Sequence, residues 1–92
     1  MKIIYKITYP NGEIYVGADL TNSINYFGIA NDDYIARDFS DEERRTLTIT
    51  REIIWSSEAA SDQEVRQKEI EYIRPLKSND PKIGYNRWPR KL

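Results

Sequence analysis

The chain opens with two segments of β-forming residues on either side of a short turn. Residues 2–9 and 13–17 are rich in isoleucine, valine, tyrosine and threonine, a composition typical of strands. Between them, proline presets φ at the first turn position and glycine suits a left-handed one. This pattern predicts a β-hairpin. A later segment, residues 46–55, has three threonines and three isoleucines, which is strand composition. Its two alternating sets, which would face opposite ways, are Leu47, Ile49, Arg51, Ile53 and Trp55, and Thr46, Thr48, Thr50, Glu52 and Ile54. This segment predicts a third strand that joins the hairpin.

The length of the turn decides which hairpin side chains share a face. A three-residue loop, Pro10-Asn11-Gly12, places Tyr5 and Tyr15 on one face. The cross-strand pairs are then Tyr9–Glu13, Ile7–Tyr15 and Tyr5–Gly17. Gly17 would leave a notch without a side chain beside both phenols. A two-residue turn would instead pair Tyr15 with Thr8 and send the tyrosines to opposite faces. Proline fits the start of a type I turn, which favours the longer loop.

Further segments carry helix signals. Residues 23–27, followed by Gly28, predict one to two helical turns, and the Asn-Asp-Asp sequence at 31–33 predicts another start. Ser40 with Glu43 and Ser61 with Glu64 have capping-box spacing. The second box begins the longest predicted helix, which runs to about Arg74 because Pro75 does not fit a helix interior. Residues 82–88 predict a short strand-like segment that ends the fold.

A carboxylate interrupts the apolar face of the longest predicted helix. At roughly 100° per residue, one apolar stripe is formed by Val65, Tyr72, Ile73 and Leu76. Glu69 falls in the middle of this stripe, and Arg66 lies toward its edge. Burying an unpaired carboxylate costs several kcal/mol. Glu69 therefore needs a cation, hydrogen-bond donors or a wet cleft, and both a structural ion pair with an arginine such as Arg51 and a functional site fit this position.

Composition narrows the chemistry that the chain can perform. The 92 residues predict a single domain, 1–92, with a core at about 2–86 and a short basic tail at 87–92. The absence of cysteine and histidine excludes disulfides, the usual zinc ligand sets and histidine catalysis. Carboxylates, lysines and tyrosines remain as candidate bases, and any metal must have oxygen ligands.

Charge and hydropathy bear on partners and location. The net charge of −1 and pI near 5.4 argue against a strongly basic nucleic-acid binder. After Asp80, however, the chain has four cations and no acid. These cations are Lys82, Arg87, Arg90 and Lys91. The sequence has no apolar run of membrane-spanning length and no signal-peptide pattern, which predicts a cytoplasmic protein without a membrane partner.

Taken together, these residues resemble the GIY-YIG nuclease domain family. The resemblance spans residues 3–86 and rests on motifs in the order and spacing of that family. These motifs are Ile4-Tyr5, Tyr15-Val16-Gly17, a helical Glu69 and Gly84-Tyr85-Asn86. The family's fold is a small α/β (α+β) domain in which helices flank a three-stranded antiparallel sheet, and the predicted elements agree with it.

The resemblance implies a DNA endonuclease that hydrolyses phosphodiester bonds with one divalent ion, Mg²⁺ or Mn²⁺. Glu69 would be the metal ligand, Gly17 would keep the cleft open, and Asn86 would support the site by hydrogen bonding. One tyrosine, Tyr5 or Tyr15, would be the general base and the other would position water or phosphate. Because a phenol has a pKa of about 10, this base needs a lysine or a metal-bound water beside it.

The chain also departs from the family's pattern. Ile3 precedes the first motif in place of glycine, and residues 18–33 contain no arginine or lysine where the family has a helical arginine. Arg37 is the nearest candidate replacement, and a solvent-exposed or ion-paired structural arginine is the alternative. The second interpretation of the whole chain is a weak or inactive module that binds nucleic acid or a protein partner. A third is an interaction module whose tyrosines only pack, which leaves Glu69 unexplained. DNA binding should be weak and salt-sensitive unless a homodimer or an attached specificity partner adds affinity.

Overall fold

A three-stranded antiparallel sheet forms the centre of the molecule, with strand order β2-β1-β3. The computed structural model describes residues 1–21 and 32–90. The elements in chain order are β1 (Lys2–Thr8), β2 (Ile14–Asp19), α1 (Asp32–Asp38), α2 (Asp41–Arg44), β3 (Thr50–Ser57) and α3 (Asp62–Leu76). This is the small α+β fold that the sequence predicts. The helical turns expected at 23–27, and the proposed cap at Asn31, lie outside the described residues.

The hairpin has the longer of the two turns considered. Tyr5 lies opposite Gly17, and Ile7 lies opposite Tyr15. The Tyr9 amide donates to the Glu13 carbonyl at 2.9 Å, which closes a loop of residues 10–12. The last residue of that loop, Gly12, has a φ of 86°, the left-handed conformation that glycine adopts without strain. Both tyrosines therefore lie on the same face of the sheet.

The third strand joins the hairpin as predicted, and it does so by pairing with β1. Its bounds and its alternation differ from the prediction. It begins at Thr50 rather than at residue 46, because its last partner on β1 is Thr8, after which the chain enters the hairpin loop. A bulge lies opposite Ile4 and Tyr5, where Trp55 pairs with Ile4 and Ile53 pairs with Tyr5. Strict alternation placed Ile53 and Trp55 on one face. The extra residue of the bulge puts them on opposite faces.

Local sequence chemistry defines both ends of α3. The Ser61 hydroxyl accepts a hydrogen bond from the Glu64 amide, and the Glu64 carboxylate accepts one from the Ser61 amide. The predicted capping box is thus formed. The same motif starts α2, where the residues are Ser40 and Glu43. The C-terminal end of α3 lies two residues beyond the predicted Arg74, since Pro75 is accommodated in the last turn. Lys77 then leaves the helix in the left-handed conformation, with φ of 58°.

Two apolar clusters cover the two faces of the sheet. On the face of the tyrosines, Ile3, Tyr5 and Ile7 pack with residues from the α1 end and from the C-terminal segment, Phe39 and Tyr85. On the opposite face, Ile4 and Val16 pack against α3 through Val65 and Ile73. Lys2 ties the start of α3 to β1, since its ammonium group lies 2.8 Å from the Asp62 carboxylate. Because β2 is an outer strand, its outer edge is accessible to the C-terminal segment, and α3 also contacts this strand.

The C-terminal segment does not form the predicted strand at residues 82–88. It makes a single parallel bridge between Gly84 and Ile14, and the rest is irregular. The Ile14 amide donates to the Ile83 carbonyl at 3.2 Å, and the Tyr85 amide donates to the Ile14 carbonyl at 2.8 Å. Further along the edge, a side chain replaces the backbone. The Asn86 amide group donates to the Val16 carbonyl and accepts from the Val16 amide, both at 2.8 Å.

Candidate functional site

A cleft of about 320 Å³ lies around the outer edge of β2. Its lining includes side chains from both faces of the sheet, because it follows the strand edge from the tyrosine face to α3. The polar and aromatic residues of its lining are Tyr5, Tyr15, Asp19, Arg66 and Glu69. Tyr5, Tyr15 and Glu69, three of the residues that the sequence singled out, are thus brought to one place from β1, β2 and α3.

The two tyrosines form the floor of the cleft. Their ring centroids lie 6.5 Å apart, with the ring planes tilted by 45°. Tyr5 is completely buried, whereas Tyr15 is only half-buried. The two phenols are therefore not equivalent, since Tyr15 is the one with a surface that solvent reaches.

Gly17 allows the close packing of this floor. A Cβ placed on Gly17 would overlap the Tyr5 hydroxyl and would lie 3.0 Å from Cε2 of Tyr15. Contacts of that length are tighter than real side chains adopt, so any other residue here would displace the Tyr5 ring. The predicted notch exists, and it is filled by the hydroxyl end of Tyr5.

A guanidinium group lies on the other side of Tyr5. Arg51, from β3, places its Cζ atom 5.0 Å from the Tyr5 ring centroid. Its Nε and Nη2 atoms are buried and have no hydrogen-bond partner in the described part of the chain. Arg51 thus stabilises the ring by a cation–π contact. It packs against Tyr5, and the charge that acts on Glu69 comes from Arg66 instead.

Glu69 is half-buried on the side of α3 that borders the cleft. Burial raises the pKa of the Glu69 carboxyl, while the nearby charge of Arg66 and a hydrogen bond with the backbone of Ala18 act in the opposite direction. The Glu69 carboxylate therefore reaches the outer edge of β2 at Ala18, two residues after Val16, to which the Asn86 side chain is bonded. Partial burial disfavours the ionised form of this carboxyl, and a cation beside it would offset that cost.

Arg66 is the cation in the lining of the cleft, although on the predicted helix it lies only toward the edge of the apolar stripe. It lies on α3 three positions before Glu69, so both residues project from the same side of the helix. The three-residue spacing from Glu69 is the feature of the sequence that points to Arg66. This spacing alone does not identify Arg66 as a site residue, because the cleft follows the edge of β2 and not the centre of the apolar stripe. The position of that edge relative to α3 depends on the tertiary fold.

Asp19 is the other lining residue that the sequence analysis did not single out. It follows the notch glycine by two positions and is 6% exposed. Its Oδ1 atom accepts hydrogen bonds from the amide and the hydroxyl of Thr21, both at 2.9 Å. These bonds fix the side chain at the end of β2. A second carboxylate thereby lines the same cleft as Glu69.

Arg37 is placed away from the cleft, in a structural role. Its guanidinium makes a two-point contact with Asp38, through Nε at 2.7 Å and Nη2 at 2.8 Å. It also lies 3.7 Å from the Glu13 carboxylate and 5.2 Å from the Tyr34 ring centroid. The sequence offered it as a replacement cation for the site. The structure instead uses it to join α1 to the hairpin loop.

Asn86 lies beside the site rather than in its lining. Both polar atoms of its side-chain amide are used on the backbone of Val16, which is the residue between Tyr15 and Gly17. The residue is 7% exposed, so these bonds are protected from water. Asn86 therefore fixes the position of the strand segment that carries the second tyrosine and the notch glycine.

Lys6 does not supply a cation next to the tyrosines. Lys6 follows Tyr5 directly, and neighbouring strand residues point to opposite faces. Its ammonium group lies 2.8 Å from the Glu52 carboxylate, its cross-strand partner on β3.

Comparison with known proteins gives no match. No family model, no curated protein and no solved structure matches the chain. The resemblance to GIY-YIG nucleases consequently rests on the motif residues and their order in the sequence. In the part of the chain that the structure describes, no helix is long and apolar enough to cross a membrane.

Proposed function

We propose that this chain is a metal-dependent endonuclease that hydrolyses phosphodiester bonds in DNA. The observation that supports this proposal best is the meeting of Tyr5, Tyr15 and Glu69 in one cleft, together with the cation Arg66. A packing role for the tyrosines alone would not require a desolvated carboxylate beside them. Sites that hold such a group at a cost in stability are frequently functional.

The two carboxylates of the cleft lining would suit a magnesium or manganese ion that keeps most of its waters. Carboxylate oxygens are the ligands that these hard cations prefer, and Mg²⁺ commonly binds through one or two carboxylates while it keeps several waters. Glu69 would be the principal ligand, and Asp19 would be the second carboxylate at the same cleft. When bound, such an ion would stabilise negative charge on the phosphate oxygens and on the leaving group.

The tyrosines would divide two tasks according to their exposure. Tyr15 has a surface that solvent reaches. As the phenolate it would accept a proton from the attacking water and become the neutral phenol, and as the phenol it would orient that water. Tyr5 is completely buried below it and would hold Tyr15 in position through ring contact. Proton transfer needs direct contact with the reacting water, and this requirement favours Tyr15.

Arg66 would contact the phosphate. It is the guanidinium in the cleft lining, and its planar group can donate two parallel hydrogen bonds to phosphate oxygens. Placed one helical turn from Glu69, it would hold the phosphate beside the ion. Loss of a donor of this kind usually lowers the rate ~10²–10³-fold.

A plasmid-nicking assay tests the proposal. Supercoiled DNA is incubated with the wild-type chain and magnesium, with magnesium plus EDTA, and with Glu69→Gln. Nicking is expected with magnesium alone, and it should be lost with EDTA and with the variant. Glu71→Gln is the matched control, because Glu71 is an exposed carboxylate of the same helix that pairs with Lys68 at 3.3 Å.

Two results would contradict the enzyme. Equal nicking by wild type and Glu69→Gln would mean that the activity does not come from this cleft. DNA binding without any metal-dependent nicking, measured by fluorescence anisotropy on the same samples, would favour the alternative of a weak or inactive nucleic-acid-binding module.

A further inference from the structure

The most exposed large apolar side chain of the described residues is the indole of Trp88, which is 65% exposed. It lies in the irregular C-terminal segment and does not belong to either apolar cluster of the sheet. Tryptophan is the side chain with the largest apolar surface, and leaving it in water forfeits the free energy of burial. An indole in this position is therefore a candidate contact for a ligand.

The backbone on both sides of Trp88 is fixed to the body of the protein. Before it, Asn86 is held by Val16, and its own amide donates to the Ser78 carbonyl at 3.0 Å. After it, the Asn79 side chain donates to the Pro89 carbonyl at 2.6 Å. Trp88 is thus presented on an anchored segment, so that contact with a ligand costs little conformational entropy.

One cationic side chain lies over this indole, and two more belong to the same segment of the chain. Arg90 places its Cζ atom 5.3 Å from the Trp88 ring centroid, over one face. Arg87 precedes the indole and lies 3.3 Å from Asp33, and Lys82 is exposed in the same segment. No acid occurs after Asp80, although the whole chain has a net charge of −1. The positive charge is therefore concentrated where the aromatic surface is exposed.

We propose that Trp88 and Arg90 form a binding site for single-stranded nucleic acid, separate from the cleft at β2. An unpaired base would stack on the exposed surface of Trp88, and Arg90 would contact a phosphate next to that base. Aromatic rings that stack bases, combined with cations that follow the backbone, are the general basis of single-strand binding. The charge around the indole favours this polyanion over an apolar protein partner.

Binding to labelled oligonucleotides tests this site without cleavage. The Glu69→Gln chain in EDTA is titrated with thymidine and uridine oligonucleotides of about 12 nucleotides, within the usual size of single-strand sites. Anisotropy should show binding, and the tryptophan fluorescence should be quenched. Trp88→Ala should weaken binding ~10-fold or more, since base stacking on one aromatic ring commonly contributes that much. Trp88→Phe should recover part of the loss.

Matched variants and ligands separate stacking from charge. Arg90→Gln should reduce the slope of log affinity against log salt by about 1. Ile53→Thr, which removes an exposed apolar side chain of β3 that is 46% exposed, should leave binding within about twofold. Weaker binding of an abasic oligonucleotide, or of a duplex of equal length, would support stacking. A difference in affinity between the thymidine and uridine strands would show whether the site prefers DNA or RNA.

Unchanged binding in Trp88→Ala would overturn the proposal, as would equal binding of the abasic strand or an absence of binding to both single strands. Circular dichroism of each variant confirms that the fold is retained, which is expected for an exposed position. These results are independent of nicking. Failure at Trp88 leaves the proposed enzyme intact, and failure of the nicking assay leaves this site intact.

Discussion

Tyr5 and Tyr15 differ in their access to solvent although they lie on the same face of the sheet. Tyr5 is enclosed by Gly17 on one side and by Arg51 on the other, while Tyr15 borders the open cleft. The buried Tyr5 ring can therefore orient the Tyr15 ring, while Tyr15 stays accessible from the cleft. The division of tasks proposed above follows from this difference.

Replacing each tyrosine by phenylalanine measures that division. Tyr15→Phe should lower the single-turnover nicking rate ~10²–10⁴-fold, the usual contribution of a general base. Tyr5→Phe keeps the ring that packs beside Gly17, so its rate should stay within about tenfold of wild type. DNA binding, measured by anisotropy, should change little in both variants. A larger loss in Tyr5→Phe would assign the proton transfer to the buried ring instead.

Glu69 is expected to reduce the stability of the fold at neutral pH. Because burial raises its pKa, its contribution to stability is fully present below its ordinary value of 4.5 and is lost as the pH rises through the raised one. Glu69→Gln should therefore unfold at a higher temperature than wild type at pH 7. The two melting temperatures should converge below pH 4.5.

The control for that measurement is Glu71→Gln, which removes an exposed carboxylate from the same helix. It should not raise the melting temperature at pH 7, because its partner Lys68 would lose a surface ion pair. If Glu69→Gln were less stable than wild type at pH 7, the carboxylate would be a net stabilising group. The inference that its position reflects function would then lose its basis.

The two capping boxes begin helices of very different importance. Helix α3 has 15 residues and buries Val65 and Ile73 against the sheet. Helix α2 has four residues, none of which is buried. The same pair of hydrogen bonds therefore stabilises a core element in one case and a surface turn in the other.

Removing each cap should reveal this difference. Ser61→Ala should lower the free energy of unfolding by about 1 kcal/mol, the usual value of such a cap. Ser40→Ala should cost less than about 0.5 kcal/mol, since unwinding α2 exposes no core residue. Urea denaturation followed by circular dichroism measures both. Equal losses in the two variants would mean that α2 contributes to the cooperative core.

Features set by neighbouring residues were predictable from the sequence, and features set by distant partners were not. The three-residue loop follows from Pro10 and Gly12, and both helix starts follow from serine and glutamate three positions apart. The start of β3, in contrast, depends on where β1 ends. Residues 46–49 alternate as a strand does, but they have no strand partner on β1 beyond Thr8.

The same distinction applies to the candidate site. Tyr5, Tyr15 and Glu69 were identified because a motif or a break in the helix pattern marked each of them. Arg66 was not, since only the folded edge of β2 makes its side of α3 part of a cleft. Asn86 was expected in a strand, but it reaches Val16 with its side chain, which no strand pattern encodes.

A network of polar groups joins the parts of the molecule that the sheet does not connect. The Tyr85 hydroxyl donates to Asp38 at 2.8 Å and accepts from Asn11 at 3.0 Å, while Arg37 holds Asp38 and approaches Glu13. The hairpin loop, α1 and the C-terminal segment therefore meet at one point. The hydrogen bonds from Arg37 hold the pKa of Asp38 well below its usual range, and burial raises the pKa of the Glu13 carboxyl.

These opposite shifts predict opposite effects of two similar substitutions. The lowered pKa of Asp38 contributes stability above its ordinary value of 3.8, and this contribution is lost as the pH falls below that value. Asp38→Asn should therefore be destabilising at pH 7. The raised pKa of Glu13 has the reverse sign, so Glu13→Gln should be neutral or stabilising at pH 7. Urea titrations at pH 7 measure both effects, and the difference between wild type and Asp38→Asn should shrink only as the pH falls well below 3.8. If Asp38→Asn kept full stability at pH 7, the network would not connect these elements.

The closure of β2 has a consequence for how copies of this chain behave toward each other. Its outer positions are occupied by the backbone of the C-terminal segment at Ile14, by the amide of Asn86 at Val16 and by Glu69 at Ala18. A strand whose edge groups are already bonded cannot serve as a template for the β-segments of another molecule. We therefore expect the residues that hold the cleft in shape also to reduce association of copies of the chain along this edge.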